Sequence, residues 1–420
     1  MKKKTLQKFS RLFASLVLVG AMSLGTVATA NAAGAKEWPE DGDPKAAFTV
    51  EYKRAEGVEI PATDFTVTFT RAGFKQAEGN ELVKTNVVIG KMPAISDITV
   101  NFAENDAEVK KQSDNFLGEF KTALLNSPEK TMGAGIYLYN VAQKAPENVT
   151  LNNTQDELKA SSDKYLVKIY VAQKSIGGLY IKGLVVNKGT VDSQDTQNKV
   201  DATPGTGGNT SAMVFTNEYI AKNGSGGTDK PDPADKNTYG LKVEKVVSGN
   251  NASNTQEFEY SMTITKPADL SLTDTKYTFY KVAANGTVAD VAETGDYNTP
   301  KTFRLTAKES ILVKSCYAGS KLEITEKGAA NWTPQVDATL GKFAYAQKTG
   351  AMGSDLAFVS EAAHPIGQSD NTVTYTNTFL DNPVTGIIVN NFPFVMMIVM
   401  AMAAFAAIVV VKSRRRMNER

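Results

Sequence analysis

One set of side chains recurs twice along this chain in a fixed order. Lys53, Gln143 and Asn217 carry it in the first half, and Lys245, Glu326 and Asn377 carry it in the second. Each lysine lies on an early strand and precedes an acid–Phe pair, Asp64-Phe65 or Glu257-Phe258, at nearly the same spacing. Each asparagine closes its half, in Val214-Phe215-Thr216-Asn217 and Thr374-Tyr375-Thr376-Asn377. Between them run Tyr139-Asn140-Val141-Ala142-Gln143 and Leu322-Glu323-Ile324-Thr325-Glu326. An amine, a carboxyl group and a carboxamide are therefore available to one core in the second half, and Gln143 stands at the acid position in the first. Other chemistry finds little material. With one histidine, His364, and one cysteine, Cys316, a nucleophilic triad or a metal cluster is poorly supported. No P-loop, GxGxxG or HExxH pattern occurs. Cys316 follows Ile311-Leu312-Val313 and reads as a small buried hydrophobe, while His364 sits in an Ala-, Gly- and Ser-rich stretch that reads as a loop.

The elements that must position these residues are strands. Phe65 to Thr70 alternates apolar residues with threonine, and Ile136–Val141, Tyr165–Val171 and Leu179–Val186 follow the same period of two. Leu241, Val243 and Lys245 share one face of a strand, and Phe258–Ile264, Tyr277–Val282, Thr302–Thr306, Leu322–Glu326 and Thr372–Phe379 continue the pattern. Gln112–Leu125 reads as a short helix or an irregular strand crossing, and Gly34–Asp43 as a loose leader. Short strands with polar turns predict an all-β fold: two Ig-like β-sandwich domains in tandem, at 45–220 and 237–380. Between them, 221–236 is rich in Gly, Ser, Asp, Pro and Lys without apolar spacing and reads as a linker.

Both ends carry processing signals. Lys2, Lys3, Lys4, Lys8 and Arg11, the apolar core Leu12–Val27 and the Ala30-Asn31-Ala32 cleavage pattern form a signal peptide over 1–32. At the other end, 381–420 holds Asn382-Pro383-Val384-Thr385-Gly386, an apolar run Phe392–Val411, then Lys412, Arg414, Arg415 and Arg416. The run approaches the ~20 residues that span a bilayer, and the arginines hold the tail on the cytoplasmic side. Removing five basic residues with the signal, and five basic and one acidic with the tail from Gly386 on, leaves 36 basic and 44 acidic residues, a net charge of −8. Such a surface repels phosphate backbones and argues against nucleic-acid binding. A single cysteine excludes internal disulfides.

The pentapeptide resembles the LPxTG-type signal of Gram-positive surface proteins, with Asn382 where leucine is usual. The resemblance implies cleavage by a sortase between Thr385 and Gly386 and transfer of the Thr385 carboxyl to an amine. Over roughly 45–380 the chain resembles the pilin isopeptide (CnaB-type) domains of Gram-positive major pilins, including the streptococcal T-antigen type. The match rests on Leu241-x-Val243-x-Lys245-Val-x-Ser-Gly, Ile324-Thr325-Glu326 and Tyr375-Thr376-Asn377. It implies a Lys245–Asn377 amide bond with Glu326 as the acid, and by the same logic a Lys53–Asn217 bond despite Gln143. It also implies an acceptor lysine for the preceding subunit late in the first domain: Lys188 or Lys199, with Lys182 as a further candidate.

The expected role is the backbone subunit of a covalent pilus on the cell wall. Its partners would be sortase, neighbouring pilin subunits, peptidoglycan and a possible host receptor, with no cofactor and no metal. A wall-anchored adhesin or minor tip or base pilin is the first alternative. A wall-anchored enzyme is the second, disfavoured by the single histidine.

Overall fold

Alternation of apolar and polar residues builds the strands, and the apolar face of each turns inward. In the computed structural model, residues 35–418 are described except 77–81, 84–88, 127–131, 148, 191–197, 207–209, 228 and 381–384. The signal peptide and Asn382-Pro383-Val384 lie outside the described residues. In the first half, β1 (Ala35–Glu37), β2 (Thr49–Lys53), β3 (Thr63–Gln76), helix α1 (Leu117–Asn126), β4 (Gly135–Gln143), β5 (Lys164–Gln173), β6 (Leu179–Lys188) and β7 (Val214–Ile220) are the main elements. One sheet runs β1-β6-β5-β4-β3, and a facing sheet carries Lys110–Gln112, β2, β7 and Glu157–Lys159. The core between them is aromatic. Tyr52 meets Phe65 edge-on at 5.1 Å and Phe102 at 5.4 Å, and Phe48 meets Phe215 at 5.6 Å.

The second half repeats the plan with β8 (Leu241–Ser248), β9 (Phe258–Thr265), β10 (Lys321–Glu326), β11 (Trp332–Leu340) and β12 (Thr372–Phe379). Lys276–Val282, Ser310–Ser315, β8, β12 and β11 form one sheet, and Lys301–Leu305, β9, β10 and Leu356–Val359 form the other. The two cores close separately around Phe48, Tyr52 and Phe215 in one half and Tyr260, Phe279 and Tyr375 in the other. In each half the first and last strands of one sheet, β2 with β7 and β8 with β12, pair in parallel. The neighbouring strand pairs are antiparallel.

Three expectations change. The Gln112–Leu125 stretch splits into the end of a strand and helix α1. Asn115 accepts from the Leu117 amide and caps the helix start, and Leu117, Phe120 and Leu124 bury one stripe. The leader is ordered in part, because β1 pairs with β6 at Ala35↔Val185. The start of the 221–236 segment is a packed joint. Ala221 and Asn223 are buried, Asn223 N donates to Cys316 O at 3.1 Å, and Asn223 Oδ1 accepts from Cys316 N at 2.9 Å. Gly, Ser and Pro permit a flexible linker, but they also permit close backbone approach, and here Gly224 and Gly240 have no room for a Cβ.

After the second half, α2 (Thr385–Asn418) extends away. Its segment Met396–Ser413 is long and apolar enough to cross a membrane, and it is not buried against the described residues. Thr385 and Gly386 open this helix, and their side chains lie outside the described residues.

Candidate functional site

Lys245 reaches the second core because β8 alternates with its apolar neighbours. Leu241, Val243 and Lys245 all point inward, so the lysine takes a position built for an aliphatic side chain and is 0 % exposed. Glu326 ends β10, whose inward residues are Leu322, Ile324 and Glu326. Asn377 follows Val373 and Tyr375 on the inward face of β12. Glu326 and Asn377 are 1 % and 0 % exposed.

The three groups converge on one carboxyl. Lys245 Nζ donates to Glu326 Oε2 at 2.8 Å, and Asn377 Nδ2 donates to Glu326 Oε1 at 2.5 Å. Tyr260 on β9 donates its hydroxyl to Glu326 Oε2 at 2.5 Å. The Phe258 ring faces the Lys245 ammonium at 3.8 Å, a cation–π contact that favours its charged form. Desolvation outweighs the Glu326 charge and pulls the Lys245 amine down to about 8. Burial also pushes the Tyr260 hydroxyl well up, so Tyr260 stays a donor. The Asn377 Oδ1 carbonyl oxygen is buried and has no hydrogen-bond partner among the described residues.

A buried ion pair contributes little net stability, since desolvation offsets the Coulombic gain. What this arrangement permits is chemical. A partly neutral amine, a carboxamide and a carboxyl group bonded to both nitrogens share one buried pocket. Sequence reading found Lys245, Glu326 and Asn377. It missed Tyr260, whose signal was its alternation with Phe258 and Met262 on the strand that faces Glu326.

The first-half set does not assemble in the same way. Gln143 and Asn217 meet, with Gln143 Nε2 donating to Asn217 Oδ1 at 2.6 Å and Asn217 Nδ2 donating to Gln143 Oε1 at 3.1 Å. Lys53 stands apart. Asn217 pairs across the strands with Tyr52, while Lys53 pairs with Glu218, one residue out of phase. A one-residue offset on a strand turns a side chain to the other face. Lys53 is therefore on the outer face of β2, and Asn217 is in the core.

The acceptor candidates differ in access. Lys188 at the end of β6 has a side chain 54 % exposed and an ion pair with Asp163 at 3.0 Å. Lys182 is half-buried in the same strand. Lys199 is buried, and desolvation together with Lys168 lowers its pKa. Its polar flanks in sequence suggest exposure, but it pairs with Asn187 on β6 and is covered. Cys316 is buried, and burial pushes its thiol up to about 12. His364 lies in a loop and stacks on Phe343 at 3.6 Å. Among the described residues no cluster of His, Cys, Asp and Glu suits a metal ion.

A family model described as a domain of unknown function (DUF7601) matches residues 239–358, most of the second half. No curated protein matches the chain. Among solved structures, the chain is similar to the major pilin protein T-13 of Streptococcus pyogenes, with 16 % identity and a TM-score of 0.32. The match covers 83 % of this chain and 100 % of that one. The S. pyogenes major pilin T3.2 gives 18 % identity and a TM-score of 0.31 over the same shares. A pilus-presented adhesin, Cpa, gives 11 % identity and a TM-score of 0.23, covering 51 % of this chain and 35 % of that one.

Proposed function

We propose that this chain is the backbone subunit of a covalently assembled pilus, hardened by a Lys245–Asn377 amide bond. The observation that carries the reading is the shared carboxyl of Glu326, with the Lys245 amine on one oxygen and the Asn377 amide on the other. The neutral amine attacks Asn377 Cγ. The Cγ–Nδ2 bond breaks, Glu326 carries the proton from Nζ to Nδ2, and ammonia leaves. Folding supplies the orientation, and effective molarities of ~10⁵ M or more are available to groups so held. The bond forms once per chain, so the protein processes itself and turns over no substrate.

The helix α2, whose first two residues complete the sequence Asn382-Pro383-Val384-Thr385-Gly386, supports a temporary membrane anchor from which sortase transfers the Thr385 carboxyl. Lys188 is the acceptor of choice among the three candidates, because its amine is the most accessible. The assembled product would sit on the cell wall.

The test joins mass and assembly. Intact mass and tryptic mapping of the mature chain should find a Lys245–Asn377 cross-linked peptide one ammonia short of its parts. A full-mass second half refutes the bond. In the native host, the subunit should appear as a ladder on denaturing gels that collapses in Lys188→Arg, and immunogold should label fibres along their length. Labelling confined to tips would assign the chain to a minor pilin instead.

A further inference from the structure

The two halves can be superposed by strand register alone. In the second half Asn377 pairs with Val247, and Lys245 lies two residues before that partner. In the first half Asn217 pairs with Tyr52, and the residue two before it is Val50. Val50 is fully buried and faces the core as Lys245 does. The acid position obeys the same rule. Glu326 pairs with Tyr260, and Gln143 pairs with Val67. Phe258 and Phe65 each lie two residues before those partners. The set Lys245, Glu326, Tyr260 and Asn377 thus becomes Val50, Gln143, Val67 and Asn217. The amine, the acid and the hydroxyl are all replaced, and only the carboxamide remains.

That carboxamide is committed elsewhere. Asn217 Oδ1 accepts from Gln143 Nε2 at 2.6 Å and from the Ser161 amide at 2.9 Å. Its Nδ2 donates to Gln143 Oε1, and more weakly to the backbone oxygens of Glu51 and Phe215 at 3.4 Å. The contrast with Asn377, whose carbonyl oxygen has no partner among the described residues, is direct. Two side-chain amides that donate to and accept from each other form a clasp between the two sheets of the sandwich, since Gln143 is on β4 and Asn217 on β7. Each such bond replaces a bond to water and adds little net stability, far below a covalent bond.

We infer that the first half holds a disarmed copy of the amide-forming site, closed by the Gln143–Asn217 clasp, and is the half that opens first when the chain is stressed. The comparison between halves rests on the bond proposed above, but the first half is judged on its own mass. The substitution pair Val50→Lys with Gln143→Glu restores the missing parts. In that variant the introduced amine attacks Asn217 Cγ, the Cγ–Nδ2 bond breaks, and the introduced carboxyl passes the amine's proton to Nδ2, which leaves as ammonia.

Pulse proteolysis of the mature chain across a denaturant series, with fragments mapped by mass, tests this. Wild-type peptides from 35–220 should stay at full mass and be cut at lower denaturant than those from 237–380. Gln143→Ala should lower the first-half midpoint and leave the second unchanged. The Val50→Lys/Gln143→Glu variant should lose one ammonia from the first half and raise its midpoint. A wild-type first half already short of one ammonia overturns the inference. So does a second half cut before or together with the first, an unmoved midpoint in Gln143→Ala, or a folded double variant at full mass. If the double variant does not fold, the wild-type and Gln143→Ala arms decide. A second half at full mass refutes the proposed bond there, while the mass of the first-half peptides still decides whether their site is disarmed.

Discussion

The Tyr260 hydroxyl lies 2.5 Å from Glu326 Oε2, the oxygen that also receives the Lys245 amine. One carboxyl oxygen therefore takes two donors and the other faces the Asn377 amide alone. In the proposed reaction this asymmetry would steer the proton that Glu326 collects toward the departing nitrogen.

Removing the hydroxyl should slow the reaction without stopping it. Tyr260→Phe keeps the stack on Phe303 and the edge contact with Tyr375. It removes a bond to a charged group, worth roughly 1.5–3 kcal/mol, or about tenfold or more in rate. Intact mass followed during refolding of unlinked chain reads the rate directly. An unchanged time course would remove Tyr260 from the relay.

Glu326→Gln preserves shape and leaves Lys245 and Asn377 in place but supplies no carboxyl to carry the proton. The variant should fold at full mass. By the loop-closure arithmetic for a cross-link across about 130 residues, it should be roughly 5 kcal/mol less stable than linked wild type. Denaturant unfolding of the second half measures the difference. Ammonia loss in this variant would show that the carboxyl is dispensable.

Acidity should act through Lys245, whose buried amine sits at about 8. The neutral fraction is about one in a hundred at pH 6 and one half at pH 8, so the rate of bond formation should rise about fiftyfold between them. The sign for stability follows from linkage. In Asn377→Ala, which cannot cross-link, the folded lysine has a lower pKa than the unfolded one. The unfolded state then binds more protons between pH 8 and the ordinary lysine range. Stability should rise with pH across that window, and the full penalty should remain below pH 8. Urea midpoints at pH 7.5 and pH 10 that fall in the reverse order would contradict the assignment.

Cys316 should be silent in the native chain. Its thiol is buried at the joint between the halves, lies 3.3 Å from Asn223 Oδ1, and is pushed up to about 12. A thiol reagent at pH 8 should label it only on unfolding. Asn223→Ala, which removes the acceptor of the Cys316 amide, should loosen the joint and raise the labelling rate by tenfold or so, on the scale of one lost buried hydrogen bond. Rapid labelling of the wild type would mean that the joint is open in solution.

How much of this could be read from the chain depends on which physical signal fixes each part. Strands were legible wherever one face is core, as in Phe65–Thr70 and Phe258–Ile264, because the side-chain period is two. Lys245, Glu326 and Asn377 were legible because each sits in phase with apolar residues on its own strand. Lys53 misled because sequence spacing counts residues, whereas register counts faces. A shift of three positions separates Lys53 from Val50, and an odd shift moves a side chain out of the core. Tyr260 was hidden because a tyrosine among buried aromatics looks the same whether or not its hydroxyl has work to do. The 221–236 joint was hidden because composition reports what a segment permits, and Asn223 is fixed by backbone groups that only the fold brings near.

The parallel pairing of β8 with β12 sets how such units can be strung together. An antiparallel pair would return the chain to the end where it entered. Here the polypeptide comes in at one pole of the module and departs from the opposite pole, after a strand eight residues long, or roughly 26 Å of parallel β-structure. In the pilus proposed above, each repeat would then add axial length with no reversal, and the filament would grow in a straight line from copies laid head to tail.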